Sequence, residues 1–192
     1  MTKENKVLSS SLSHMIIAMT SVAVFASTII GFSHSVTKEP IQIAKDNRKL
    51  EAIKEVISTE FDNNPFAERI DIGNGIELYP ARLGTKITSI AIKSYSNNAF
   101  SGRLELIVGF MLDGTINGYK IIEQKETPGL GTKVTEQKFS SQFKGLNPEN
   151  ESFKVRQDGG EIDAVTSATI SSRAVIDAIS RAYNKYINFS NI

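Results

Sequence analysis

Three kinds of hydrophobic periodicity divide the chain. Leu12 to Phe32 (LSHMIIAMTSVAVFASTIIGF) is apolar-biased throughout and contains no Lys, Arg, Asp or Glu. About 20 such residues, rising about 1.5 Å each, span a hydrocarbon core. A transmembrane helix is therefore expected over 12–32, behind a short N-terminal tail, 1–11. Val24-Phe25-Ala26 offers a small-residue cleavage site of the secretory type. The apolar run continues past it through Ile29, Ile30 and Phe32, which favours a retained anchor.

A second pattern follows in 33–62, a linker with an amphipathic helix. Ile43, Leu50, Ile53, Val56, Ile57 and Phe61 recur at helical spacing from Ile41 to about Asp62, with Pro40 at the entrance. The segment could serve as a stalk, and Asn63-Asn64-Pro65 ends it.

From Gly75 to Gln124 the period drops to two. Ile87–Tyr95 alternates, and Leu104, Leu106, Val108, Phe110 and Leu112 share one strand face. Asp113-Gly114 then predicts a hairpin into Thr115–Glu123. A short helix is expected over Glu136–Lys144 and a strand over Phe153–Arg156, ended by Asp158-Gly159-Gly160. The last segment, about Ser171–Ile187, aligns Val175, Ile176, Ile179, Ala182, Tyr183, Tyr186 and Ile187 on one helical face. The expected fold class is α+β: an antiparallel sheet with packed helices over 63–192, behind one N-terminal transmembrane helix. No glycine-rich dinucleotide fingerprint or P-loop is present.

Composition narrows the chemistry. At 192 residues the chain suffices for one globular domain and a short appendage, and its formal net charge of +1 gives no electrostatic case for nucleic acid. There is no cysteine, which excludes disulfides, thiol nucleophiles and cysteine-ligated iron–sulfur clusters. The two histidines, His14 and His34, sit near the ends of the apolar segment, so His-based metal sites and Ser-His-Asp catalysis are excluded from the globular part. Redox chemistry here would need a bound organic cofactor.

Two stretches remain as candidate chemistry. Glu126-Thr127-Pro128-Gly129-Leu130-Gly131 is a tight loop directly after a strand. It is either a plain turn or a loop whose backbone approaches a planar ligand closely, with Leu130 packing on it. Asp163-Ala164-Val165-Thr166-Ser167-Ala168-Thr169 leads into the last helix. It is either a Ser/Thr-rich cap or an anion site, because a helix start presents unpaired N–H groups and partial positive charge.

The spaced motifs ETPGLG and DAVTSAT, standing behind an N-terminal span, resemble the G subunit of the Rnf-type electron transport complex. They are also similar to the C subunit of the sodium-translocating NADH:quinone reductase, which shares the FMN-binding domain. The compactness of this chain favours the first. The resemblance extends over nearly the whole sequence and implies that 63–192 is an FMN-binding domain. It further implies FMN held covalently, as a phosphoester, on the last threonine of an S/T-G-A-T motif. Carried over, Thr169 is the attachment residue and Asp163 the acid read by a dedicated flavin transferase. Thr166 and Ala168 match the motif, and Ser167 stands where glycine is more usual. A left-handed backbone there would be less comfortable for serine. Glu126, Thr127, Gly129, Leu130 and Gly131 are the residues expected around the isoalloxazine ring.

The implied function is a redox subunit, not a catalyst by itself, of a membrane translocase coupling ferredoxin–NAD chemistry to ion transport. Its implied partners are other integral-membrane and iron–sulfur subunits. A stand-alone flavinylated carrier is a second reading, and an anchored binding or structural domain without flavin a third. The implied location is the cell inner membrane, with the C-terminal domain on the periplasmic, extracytoplasmic side. Flanking charge opposes this, since Lys38, Lys45, Arg48 and Lys49 follow the span and only Lys3 and Lys6 precede it. Long domains translocate largely regardless of such charges.

Overall fold

The computed structural model describes residues 12–57, 59–150 and 152–190; the tail expected over 1–11 lies outside them. The chain forms two compact units, Met1–Asp46 and Asn47–Ile192. Helix α1 (Leu12–Val56) is continuous and carries Pro40 in its interior. The helical periodicity from Ile41 thus belongs to the same helix as the apolar run, with no break at Pro40. The proline removes one i→i−4 hydrogen bond, and the residues around it are exposed. Residues 12–44 are exposed throughout, and this helix is long and apolar enough to cross a membrane. The helix ends at Val56, short of the expected Asp62.

In the second unit, β1 (Ile70–Gly73), β2 (Ile76–Leu83), β3 (Lys86–Ala99), β4 (Gly102–Met111) and β5 (Ile116–Glu123) form one antiparallel sheet in sequential order. The β4–β5 hairpin turns at Asp113-Gly114 as its sequence predicts. Gly114 has φ +83°, and one Asp113 carboxylate oxygen accepts both the Thr115 N–H (2.9 Å) and the Thr115 hydroxyl (2.6 Å). Leu112 lies beyond the end of β4 and is exposed, not on the buried strand face.

Both faces of the sheet are covered, which explains why the middle strands are buried almost continuously. Ile90, Ile92, Leu104, Leu106, Val108 and Phe110 pack against α3 (Thr169–Ser190) through Val175, Ile179, Ala182 and Tyr186. At about 1.5–3 kcal/mol for each large apolar side chain buried, this layer is the main source of stability. On the opposite face Tyr79, Ala81, Ala91 and Ile107 receive Ala52, Ile53 and Val56 from the last turns of α1. Gly109 permits that approach, because a Cβ there would collide with the Val56 carbonyl. Asn117 Nδ2 caps this carbonyl at 2.5 Å.

Between β5 and α3 the chain makes a 3-10 turn (Gly131–Thr135), the short helix α2 (Gln137–Ser140) and a second 3-10 turn (Ser141–Phe143). Phe139, Phe143 and Phe153 pack edge to face beneath them. The strand expected over Phe153–Arg156 is reduced to one parallel bridge, Val155 with Ile162, followed by a 3-10 turn at Arg156–Asp158. Arg173 of α3 fixes this loop through two bonds to Asp158, at 2.7 and 2.6 Å. The Arg173 guanidinium holds the Asp158 carboxyl below the usual carboxylate range.

Candidate functional site

The glycine loop and the start of α3 face one another across a cleft of about 570 Å³, within the range of small-molecule and cofactor sites. Glu126, Thr127, Leu130 and Gly131 form one wall and Ser167, Ala168, Thr169, Ile170 and Ser171 the other, with Phe100 from the β3–β4 turn at the rim. Two motifs about forty residues apart in sequence thus share a cavity.

Thr169 is the first residue of α3 and is half-buried. Among the described residues nothing hydrogen-bonds its hydroxyl. The segment before it is held firmly. Ser172 Oγ accepts the Val165 N–H and donates to the Ala168 carbonyl, both at 3.0 Å. The Ala168 N–H closes a turn onto the Val165 carbonyl at 2.9 Å. This turn requires a left-handed residue, and Ser167 fills it at φ +63°. Glycine would hold that conformation without the Cβ clash that makes it unfavourable for other residues.

Glu126 is 5% exposed and occupied on both oxygens. Oε1 accepts the Ser101 N–H at 2.9 Å, and Oε2 accepts the Ser171 hydroxyl in a short bond. Glu126 thereby joins the glycine loop to the β3–β4 turn and to the first turn of α3 while still lining the cleft. Gly131 packs against this junction, where a Cβ would stand 2.6 Å from Oε2 of Glu126 and 2.9 Å from Oγ of Ser171. The loop itself is a compact turn. The Thr127 carbonyl accepts the Leu130 and Thr132 N–H groups at 3.2 and 3.3 Å. Gly129, at φ +75°, donates its N–H to Thr132 Oγ1 at 3.0 Å. Leu130 stands into the opening, 45% exposed.

Two of the residues singled out in the sequence lie elsewhere. Asp163 and Thr166 line a neighbouring groove of about 350 Å³ with Lys133, Lys138 and Gln142. Asp163 pairs with Arg156 at 2.6 Å, and Gln142 clamps its backbone, accepting its N–H at 2.8 Å and donating to its carbonyl at 3.1 Å. Gly129 shapes the loop without lining the cleft. Sequence reasoning missed Phe100, Ser101, Ser171 and Ser172. For the two α3 serines a signal existed. Ser171 and Ser172 stand one turn before Val175 and Ile176 on the buried face, and a hydroxyl there must find a partner.

The cleft suits a phosphorylated planar cofactor such as FMN. It combines a mostly apolar lining, a free hydroxyl and a helix start that attracts phosphate. Comparison with known proteins shows the family and its domain. Residues 99–184 match the FMN-binding domain family. The chain is 32% identical over 184 residues to the G subunit of the ion-translocating oxidoreductase complex of Vibrio cholerae, with 87% of each chain covered. It is 29% identical over 178 residues to the G subunit of the same complex from Methanosarcina acetivorans, covering 91% of this chain and 94% of that one. Among solved structures, the C subunit of the Na(+)-translocating NADH-quinone reductase of Parabacteroides distasonis superimposes with a TM-score of 0.54. That alignment covers 77% of this chain and 94% of the other at 18% identity, a likeness of fold. This is a membrane-type redox subunit built on an FMN-binding domain. The chain belongs to the family of G subunits of the ion-translocating oxidoreductase complex.

Proposed function

We propose that this protein carries FMN covalently on Thr169 and relays electrons within a membrane-bound, ion-translocating complex of the Rnf type that couples ferredoxin–NAD chemistry to ion transport. The observation that carries the reading is the shared cleft, lined by Leu130 and Gly131 together with Thr169, whose hydroxyl makes no hydrogen bond among the described residues. A phosphoester needs an accessible hydroxyl, and the first turn of α3 supplies N–H groups and partial positive charge for the remaining phosphate charge. Leu130 offers an apolar contact to the ring, while the backbone of 127–131 can meet its polar edge. Bound FMN supplies the one- and two-electron chemistry; the chain supplies attachment, orientation and exclusion of water.

In this reading Asp163 is the acid recognised by a flavin transferase, and its exposed position in the neighbouring groove keeps it reachable. Residues 12–32 anchor the protein in the inner membrane and 63–192 form the flavin domain on the extracytoplasmic side, where a tether prevents loss of the cofactor. The other membrane and iron–sulfur subunits are its electron partners.

Co-expression with a flavin transferase, followed by denaturing electrophoresis under ultraviolet light, tests attachment. Wild type gives a fluorescent band, Thr169→Ala gives none and Thr166→Ala retains one. A dark wild-type band, or a bright Thr169→Ala band, overturns the assignment. A periplasm-dependent reporter fused to the C-terminus is active in the proposed topology; activity of a cytoplasm-dependent reporter refutes it.

A further inference from the structure

We infer that Phe100 is the aromatic wall of the cofactor cleft, set in place by the buried Glu126 carboxylate to stack on the planar ring; the inference rests on the flavin reading above. Phe100 is 67% exposed yet lines the same cleft as the start of α3. A large aromatic left in water forgoes the burial free energy that such a side chain usually contributes. A tip residue in a hairpin would ordinarily be polar or glycine.

The turn that bears it is anchored on both sides. Before it, β3 bulges between Ser96 and Ala99. The Ser96 hydroxyl donates to Asp177 of α3 at 2.6 Å and accepts the Asn98 N–H at 3.1 Å. After it, the Ser101 N–H donates to Glu126 Oε1 at 2.9 Å, and Gly102 turns the chain at φ +104°. Bulges near functional sites re-aim side chains. Here the bulge and two long-range bonds, from α3 and from the glycine loop, bracket one exposed aromatic. The same Glu126 carboxylate holds Ser171, two residues after Thr169. One buried group therefore sets the distance between the attachment point and the aromatic wall. A flat heteroaromatic ring held in this opening would cover one face of Phe100 and meet Leu130, which lines the same cleft.

The test compares the flavinylated full-length protein with F100A and F100W. Emission of the native, detergent-solubilised protein is divided by emission after denaturation, so that each flavin is counted. An indole in van der Waals contact with a flavin quenches it by electron transfer in the excited state. F100W is therefore expected to lower native emission per flavin severalfold, F100A to raise it, and both to shift the flavin midpoint potential. Because Phe100 is mostly exposed, neither change is expected to unfold the domain. Native emission and potential equal to wild type in both variants overturn the inference. So does a change confined to electron exchange with the assembled complex, which would mark Phe100 as a contact for a neighbouring protein of that complex. Failure of the flavin reading itself shows separately, as a wild-type protein without flavin after denaturation.

Discussion

The Glu126 carboxylate and the Ser171 hydroxyl, 45 positions apart in sequence, meet in a buried hydrogen bond that ties the glycine loop to the first turn of α3. Removing the carboxylate leaves the Ser101 N–H and the Ser171 hydroxyl without their acceptor. Leaving the buried Ser171 hydroxyl unsatisfied costs about 1–3 kcal/mol, and the Ser101 N–H, on an exposed residue, adds less. Glu126→Ala is accordingly expected to lower the urea midpoint clearly. Glu126→Gln, which can still accept from Ser101 and donate to the Ser171 oxygen, is expected to lose much less. Equal losses in the two variants would show that the contact is packing alone.

Gly131 lies against the same junction. A methyl there stands 2.6 Å from Glu126 Oε2 and 2.8 Å from its Cβ, closer than side chains pack. Overpacking of this kind destabilises by about 1–3 kcal/mol. Gly131→Ala is expected to lower Tm and to weaken flavin incorporation together, measured by thermal melts and by fluorescence of the denatured band. A variant with wild-type Tm would contradict the packing seen at this glycine.

Ser167 holds φ +63°, a conformation that costs a residue with a Cβ about 1–2 kcal/mol. Ser167→Gly relieves that strain and gives back part of the gain as unfolded-state entropy. The net expectation is a stabilisation of up to about 1 kcal/mol, or about 2–4 °C in Tm. Ser167→Val, β-branched at positive φ, moves Tm the other way. A rise in Tm with valine would refute the backbone assignment.

Thr169 separates function from stability. Its hydroxyl makes no hydrogen bond among the described residues, so Thr169→Val is expected to change stability by no more than about 0.5 kcal/mol while abolishing the fluorescent band. Thr169→Ser keeps a hydroxyl at the helix start and is expected to retain a band. Loss of folding in Thr169→Val, seen by circular dichroism, would mean that the side chain has a structural role.

The sheet surface away from the cleft carries a pH-dependent element. Glu77 accepts from Lys49 at 3.3 Å, Lys93 at 3.2 Å and the Tyr79 hydroxyl at 2.6 Å. Burial alone would raise its pKa, but the Tyr79 hydrogen bond and the two lysines outweigh burial and hold it below the ordinary value of 4.5. A depressed folded-state pKa contributes stability above the unfolded value, and that contribution is lost as pH falls through the folded one. Glu77→Gln is expected to flatten the decline in stability below about pH 4.5 and to leave the shape of the curve near neutrality unchanged. An unaltered acid limb would show that other carboxylates set it.

Much of this molecule was legible in local pattern. Alternation over Ile87–Tyr95 and Leu104–Phe110, Asp113-Gly114 between strands, and the apolar face from Val175 to Ile187 determined the hairpins and the final helix, since each depends on neighbours a few positions away. The apolar run from Leu12 determined the exposed helix, although Pro40 proved to be an interior residue of it, because one missing hydrogen bond does not end a long helix. The Asp163–Thr169 and Glu126–Gly131 stretches could be marked as candidates from their residues, and only the tertiary structure brought them to one cleft. It also separated Asp163 and Thr166 into a neighbouring groove, made Glu126 a three-way junction within the cleft lining, and added Phe100. The physical reason is the same in each case. These roles depend on which backbone N–H or hydroxyl arrives beside a carboxylate from a distant strand or helix, and a single chain read in order carries no record of that distance.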